Sequence, residues 1–332
     1  MLMNRLIPLV ALGLLLLTLA ACGGNSEKQG QKETTAPAIE ATAEPVAADL
    51  TRTVTHLKGE SIVPAKIDRI VVLSAAYIDH LLTIGEKPAG VNVEVRYGGD
   101  YLPYLASELE GVKLVGSADS PNLEAIVEID PDVILVESRT AEDTYEQLEK
   151  IAPTIVLGTE WLEYEDDTTY WTKDLLMVAE LYDKVELAEQ RIEELHLKTA
   201  KASEIVNKLD HKQLAYLRVR EKNLQIYAGK GHPTNTLLYH DLGFARTELT
   251  PEEQRADLSL EVVPDLDADY IVLEVDPNGR DNLNSMNQSA LWAKVPAVQN
   301  EKVYVTDSFW LFKGWGVIGR GQIVDDVLKM VE

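Results

Sequence analysis

The chain of 332 residues contains a single cysteine, Cys22. One thiol cannot close an internal disulfide, and it cannot supply a cysteine-based zinc or iron–sulfur site. Basic residues are also scarce, because 31 Lys and Arg stand against 55 Asp and Glu and give a net charge of −24. This acidic excess argues against nucleic acid as a partner, since nucleic-acid binding needs a basic footprint.

The motifs of common enzymes are missing as well. The sequence has no G-x-S-x-G nucleophile elbow, no P-loop and no H-E-x-x-H zinc motif. A G-x-G-x-x-G match runs over residues 314–319, but the acidic partner of a dinucleotide site would lie beyond Glu332. We interpret this match as a flexible approach to the last helix. Because the six histidines do not cluster either, the sequence supports neither an enzyme nor a metal site.

The N-terminus gives Cys22 a different meaning. Residues 6–21 form an apolar run after Arg5 that is shorter than the roughly 20 residues of a membrane-spanning helix. The run ends in small residues, as a signal peptide does. Residues 19–22, Leu-Ala-Ala-Cys, resemble a bacterial lipobox, which implies lipidation of Cys22; an ordinary signal peptide with an incidental cysteine is the alternative. We predict a lipoprotein signal peptide over 1–21 and a disordered, lipid-anchored stalk over the polar residues 22–50.

Short buried strands alternate with helices from residue 69 onward, a pattern that predicts an α/β fold with mainly parallel sheets covered by helices. The stretch 185–209 has no Gly or Pro and carries apolar residues at helical spacing, which predicts one long connector helix. A helix packed within a single domain is the alternative. We therefore predict an N-terminal α/β lobe over 51–184 and a C-terminal α/β lobe over 210–332.

An internal repeat supports the division into two lobes. Residues 123–137 align with residues 260–274 at a constant offset of 137, and six of the fifteen positions are identical. Each copy predicts a short helix, an Asp-rich turn and a buried strand. Chance convergence of two such units is the alternative to a duplicated lobe.

Together these features resemble the helical-backbone substrate-binding proteins of ABC importers for iron–siderophore complexes, haem and vitamin B12. The resemblance covers about residues 60–332 and is carried by the segments 69–74, 122–135, 151–154 and 310–326. The segment 217–227 is similar to the iron–siderophore branch, in particular to Gram-positive lipoproteins for hydroxamate-type siderophores. The resemblance implies a class III periplasmic-binding-protein fold, in which two Rossmann-like lobes are joined by one long α-helix.

The resemblance also implies a function without catalysis. A ferric siderophore would be captured in the cleft between the lobes and delivered to an ABC permease dimer with its ATPase. In this family one surface glutamate per lobe docks onto the permease, and the matching positions are Glu124 and Glu261. The alternative for each is a glutamate favoured by a helix dipole. The protein is expected to be a monomer, anchored through Cys22 on the extracytoplasmic face of the membrane of a Gram-positive cell.

The expected ligand decides which residues are candidates for the site. The chelator fills the coordination shell of the iron, so the protein needs no metal ligands and no cofactor. Arginine suits the chelate because its planar fork binds pairs of oxygen atoms. Arg218 and Arg220 are two residues apart and lie on one face of a strand; pairing with the abundant acids is the alternative. The further candidates, for which ion pairing or core packing is the alternative, are Arg96, Arg139, Arg320, Trp310, Tyr97 and Tyr227.

Other ligands on the same scaffold remain open. Scattered histidines disfavour a free zinc or manganese ion, while the tyrosines are compatible with haem. Cobalamin fits paired arginines less well. An envelope enzyme or an adhesion lipoprotein is the alternative from a different class. The stiff connector predicts a small movement of the lobes on ligand binding.

Overall fold

A parallel five-stranded sheet organises the N-terminal half of the chain. The computed structural model describes residues 50–95, 99–158 and 169–332, so the predictions for the signal peptide, the stalk, Cys22, Arg96 and Tyr97 lie outside the described residues. The strands of this sheet are Ile70–Leu73 (β3), Gly90–Val91 (β4), Lys113–Leu114 (β5), Val133–Glu137 (β8) and Thr154–Leu157 (β9). They lie in the order β5-β4-β3-β8-β9.

The central strands of this sheet are short runs of buried, mostly β-branched residues, as expected for a parallel sheet with both faces covered. Successive side chains alternate between two cores. Ile70 and Val72 pack into one core, and Val71 and Leu73 pack into the other. The surrounding elements are the hairpins Thr51–His56 (β1) with Gly59–Pro64 (β2) and Gly116–Ser117 (β6) with Ser120–Pro121 (β7), and the helices Ala75–Thr83 (α1), Leu123–Ile129 (α2), Ser138–Leu148 (α3) and Thr172–Glu180 (α4).

One long helix, Val185–Val206 (α5), follows this half of the chain. Its buried side chains lie on one stripe and belong to different cores. Ala188 packs into the core of the first sheet, whereas Ala202 and Val206 pack into a core of the second sheet. The helix therefore makes a stiff connection between the two halves.

The second sheet is mixed and has the order β13-β11-β10-β14-β15, with β12 also paired to β10. The pairs that β10 forms with β12 and β14 are parallel, as is the pair β14–β15, whereas β11 joins β10 and β13 antiparallel. The α/β class with mainly parallel sheets is thus confirmed. The strands are Gln213–Val219 (β10), Leu224–Ile226 (β11), Ala245–Arg246 (β12), Ala256–Leu258 (β13), Tyr270–Val275 (β14) and Val303–Asp307 (β15).

The second half carries α-helices and several tighter helical turns. The α-helices are Pro233–Asn235 (α6), Arg280–Asn287 (α7), Pro296–Gln299 (α8) and Val317–Val331 (α9), and the 3₁₀ helices of this half are Val263–Asp265, Trp292–Lys294 and Leu311–Trp315. A π-helical segment spans Thr236–Asp241. The last helix, α9, packs Ile323, Val324 and Val327 into a core of the second sheet.

The two copies of the repeat begin differently but end alike. The first copy opens with α2, capped by the Asn122 side chain, which accepts a hydrogen bond from the Ala125 N–H. The second copy opens with a turn and the 3₁₀ helix Val263–Asp265, because Pro264 lacks the N–H that an α-helical bond requires. Each copy then places an aspartate before its strand. Asp132 accepts a hydrogen bond from the Arg69 N–H at 2.7 Å, and Asp269 accepts one from the Gln213 N–H at 2.8 Å.

A buried carboxylate joins the first helix of the chain to the last. Asp79 of α1 accepts hydrogen bonds from the N–H groups of Ile318 and Gly319 at 3.1 and 2.9 Å, at the N-terminus of α9. An added Cβ at Gly316 would overlap this carboxylate. The glycines of residues 314–319 therefore permit close packing rather than a flexible approach to α9. Burial raises the pKa of Asp79 to about 6, although its hydrogen bonds act in the opposite direction.

Candidate ligand-binding site

Charged side chains gather where the strands β10 and β14 reach their carboxyl ends. On β10, Leu214, Tyr216 and Arg218 share one face, and period-two alternation extends that row to Arg220. On β14, Glu274 lies beside Arg218 in the parallel register. The row on β14 continues in the same way to Asp276, which lies one residue past the strand. Ligands of open α/β sheets bind beyond the carboxyl ends of their strands, so this edge is the candidate site.

Arg218 and Arg220 converge on one carboxylate. Arg218 donates two hydrogen bonds to Asp276, from Nε at 2.8 Å and from Nη2 at 3.1 Å. The Nε atom of Arg220 lies 3.7 Å from Oδ2 of the same carboxylate. The Arg218 side chain is 11% exposed, whereas that of Arg220 is 46% exposed. Arg220 is therefore the more accessible of the two cations.

Beneath this pair, Glu274 is buried and holds three hydrogen-bond donors. Its carboxylate accepts hydrogen bonds from the hydroxyls of Tyr216 and Tyr227 and from the Leu311 N–H, the last two at 2.7 Å. Burial raises the pKa of Glu274 to about 7, although these hydrogen bonds and Arg218 act in the opposite direction. The candidate Tyr227 is itself buried, and its hydroxyl is directed at Glu274. In this structure Tyr227 supports the edge from below.

Two other candidates lie in the interior. Trp310 is fully buried, packs edge-on against Tyr216 and donates from Nε1 to Asp326 at 3.0 Å. Arg320 is 2% exposed, donates to Asp241 at 2.6 Å and places its guanidinium 4.4 Å from the Trp171 ring centroid. Burial lowers the pKa of Arg320 to about 10, while Asp241 acts in the opposite direction. Neither side chain reaches the edge formed by β10 and β14 here, because packing around α9 encloses both.

The corresponding edge of the first sheet carries Arg139. This residue lies at the start of α3, just after β8, and its side chain is 59% exposed. Its Nη2 atom lies 3.1 Å from Oε1 of Glu137 and 3.9 Å from Oδ1 of Asp119. Ser74, which follows β3, donates from Oγ to Glu137 at 3.3 Å. Arg139 is thus accessible, and it has acidic neighbours of its own.

The two docking candidates are surface residues. Glu124 lies in the first turn of α2, and Glu261 lies in the turn before the 3₁₀ helix of the second repeat copy. Both are exposed. Their position and exposure leave both carboxylates free to meet a partner from solvent.

Sequence reasoning missed the acids that organise the site, Glu274 and Asp276. A sequence signal was present. Glu274 and Asp276 occupy alternate positions at the end of the buried strand Tyr270–Val275, as Arg218 and Arg220 do at the end of β10. The described ranges contain no group of three or more His, Cys, Asp or Glu side chains arranged to hold a metal ion. Across the same ranges, every helix is too short or too polar to cross a bilayer.

Comparisons with known proteins agree with this architecture. The sequence matches the family described as periplasmic binding protein over residues 70–309. A relative in Bacillus subtilis (strain 168), the probable siderophore-binding lipoprotein YfiY, is 31% identical over 301 residues, covering 85% of this chain and 88% of YfiY. The iron(3+)-hydroxamate-binding protein FhuD of the same organism is 27% identical, covering 89% of this chain and 87% of FhuD.

Solved structures share the fold. SirA of Staphylococcus aureus, complexed with staphyloferrin B, superposes with a TM-score of 0.65 at 22% identity, covering 84% of this chain and 98% of SirA. FeuA of Bacillus subtilis, complexed with ferri-bacillibactin, gives a TM-score of 0.68 at 21% identity, covering 84% of this chain and 98% of FeuA. At these identities the likeness establishes the fold.

Proposed function

The chain belongs to the periplasmic binding protein family, and from that premise we propose that it captures a ferric siderophore and delivers it to an ABC permease. The observation that carries this proposal is the cluster of Arg218, Arg220 and Asp276 at the carboxyl ends of β10 and β14. Relatives named for siderophore and iron(3+)-hydroxamate binding support the ligand class. The chain would act as a binding protein and not as an enzyme.

The chemistry of the ligand explains why a guanidinium suits this edge. The chelator supplies the donor atoms around iron, so the protein would contact only the organic shell of the complex. We therefore propose that no side chain coordinates the iron and that the protein needs no cofactor. Arg220 is partly exposed and offers hydrogen bonds to carboxylate or hydroxamate oxygen atoms. Arg139 offers the same donors from the edge of the first sheet. Arg96 and Tyr97 remain candidates for the same role.

The cellular setting forms a second part of the proposal. Cys22 would carry the lipid anchor on the extracytoplasmic face of a Gram-positive membrane, in keeping with the lipoprotein relatives from Bacillus. Glu124 and Glu261, one on each half of the chain, would meet positive charges of the permease dimer that its ATPase drives. Opposite charges across such a contact set orientation and association rate. We propose that the protein works as a monomer.

Tryptophan fluorescence can test the ligand class directly. The purified protein is titrated with ferric hydroxamate, citrate-hydroxamate and catecholate siderophores, and with haem, cobalamin, zinc and manganese. We expect saturable quenching by at least one ferric siderophore, and weaker binding by Arg220→Ala because the accessible cation is lost. Saturable binding of zinc or manganese alone would overturn the proposal. Selective binding of haem or cobalamin would assign the cleft to that ligand instead.

Transport assays can test the docking role separately. The double variant Glu124→Ala with Glu261→Ala should bind the siderophore as tightly as the parent protein, because both side chains are exposed surface residues. Uptake of the iron complex by cells should nevertheless be lost. A double variant of Glu193 and Glu194 on the exposed face of α5 removes the same charge and should leave uptake intact. Loss of ligand binding in the docking variant would contradict the assignment.

A further inference from the structure

The arginines at the strand ends are largely neutralised before any ligand arrives. Asp276 is buried, occupies two donors of Arg218 and lies within 3.7 Å of Arg220. One carboxylate therefore serves two guanidinium groups at the edge of the second sheet. With Glu274 counted beside Asp276, two acids of this edge stand against two guanidinium groups, and the more accessible of the two cations is Arg220.

The edge of the first sheet adds no further positive charge from its described residues. Arg139 has Glu137 at 3.1 Å and Asp119 at 3.9 Å, so two carboxylates surround one cation. Arg320 is enclosed with Asp241 and stays away from both edges. Taken over the described strand ends, the arginines and their acidic neighbours nearly balance. Such a surface is poorly matched to a strongly anionic ligand, because the close carboxylates repel it.

We propose that Asp276 is a specificity-determining residue that selects ferric chelates of low net charge. This inference rests on the proposed function and narrows its substrate class. A complex of Fe³⁺ with three singly charged hydroxamates is neutral, whereas a complex with three doubly charged catecholates carries three negative charges. By holding Arg218 and partly neutralising Arg220, Asp276 favours the neutral hydroxamate class and repels the tris-catecholate class.

The test compares two probes on the same protein samples. Dissociation constants are measured for ferrichrome, a neutral ferric trihydroxamate, and for ferric bacillibactin, a ferric tris-catecholate. The parent protein should bind ferrichrome more tightly. The near-isosteric Asp276→Asn should move the ratio of the two constants at least about tenfold toward the catecholate, because one nearby negative charge is lost. Asp276→Glu should keep the parent preference, since it keeps the charge.

A matched control removes the same charge elsewhere. Glu194 forms an exposed ion pair with Arg191 on α5, so Glu194→Gln should leave the ratio unchanged. Because a ratio of two constants does not depend on the fraction of folded protein, a partly unfolded Asp276→Asn sample still gives an answer. An unchanged ratio in Asp276→Asn, or a parent protein that prefers the catecholate, would overturn the inference while leaving siderophore binding intact. A parent protein that binds neither complex would overturn the proposed function itself.

Discussion

The two copies of the repeat each carry a glutamate at the aligned position near the end of a strand, Glu137 in β8 and Glu274 in β14. The surroundings of these two glutamates differ. In the first half, Glu137 ends β8, is partly exposed and has Arg139 and Ser74 as neighbours. In the second half, Glu274 is buried and holds the hydroxyls of Tyr216 and Tyr227. The two aligned glutamates thus have a solvated ion pair in one half and an enclosed network in the other.

This difference separates the roles of the two edges. In the second half Arg218 donates two hydrogen bonds to the buried Asp276 without any ligand, and groups already held in place lose little entropy on binding. In the first half Arg139 is 59% exposed and lies near both Glu137 and Asp119. If the two edges contact the chelate as proposed, the second edge is preorganised for it, while the first can adapt to its shape.

The largest effect that tests this comparison is on stability. Glu274→Ala leaves two buried hydroxyls and one backbone N–H without their acceptor, and we expect the free energy of unfolding to fall by about 3 kcal/mol or more. Glu137→Ala removes a partly exposed ion pair and should cost less than about 1 kcal/mol. Urea unfolding followed by tryptophan fluorescence measures both. Equal losses in the two variants would show that the two edges do not differ in this way.

A second effect concerns the dependence of stability on pH. Because burial raises the pKa of Glu274 to about 7, from an ordinary value of 4.5, the folded state holds its proton more tightly than the unfolded chain does. Its contribution to stability is then fully present below about pH 4.5 and is lost as the pH rises through 7. Relative to Glu274→Gln, which does not titrate, the parent should lose about 3 kcal/mol across this window.

The matched measurement is a series of urea unfolding curves for both proteins between pH 4 and pH 8. Other carboxyl groups, Asp79 included, titrate in both proteins and cancel in the difference. A difference that stays constant with pH would mean that Glu274 is ionised in the folded protein throughout. In that case the enclosed network is better solvated than its burial indicates.

Local patterns were sufficient to predict the buried strands, because runs of β-branched residues such as Ile70–Leu73 bury both faces of a strand. The same alternation placed Arg218 and Arg220 on one face. The alternation of acids at the end of β14 marked Asp276, but its pairing with these arginines did not follow from it, since the two become neighbours only once β14 pairs with β10 in parallel register. The sequence indicates which side chains share a strand face, but not which strand lies beside it.

Burial explains why other residues predicted from the sequence lie elsewhere in the structure. The sequence favours Trp310 and Arg320 as ligand contacts because an aromatic ring and a cation suit an organic anion. In the structure both are enclosed by the packing of α9, a tertiary effect without a local signature. In the same way, Leu197 and Ile205 follow the apolar spacing of α5 but remain 54% and 42% exposed. Helical spacing predicted the helix, but it did not predict which apolar residues the two halves would cover.

The smallest expected effect is the movement of one half against the other. Helix α5 packs into cores of both halves. In addition, the Asp79 carboxylate of α1, in the first half, accepts hydrogen bonds from the N-terminus of α9, in the second half. A saturating ferric siderophore should therefore change the radius of gyration by less than about 0.5 Å, against roughly 19 Å for a folded unit of this size. Small-angle scattering measures this change directly. In Asp79→Asn, where one acceptor is replaced by a donor, the change should be larger, because the hold on α9 is weaker. A decrease of about 2 Å in the radius of gyration of the parent protein would instead mean that the two edges close on the ligand as a clamp. The contrast between a fixed second edge and an adaptable first edge would then lose its basis.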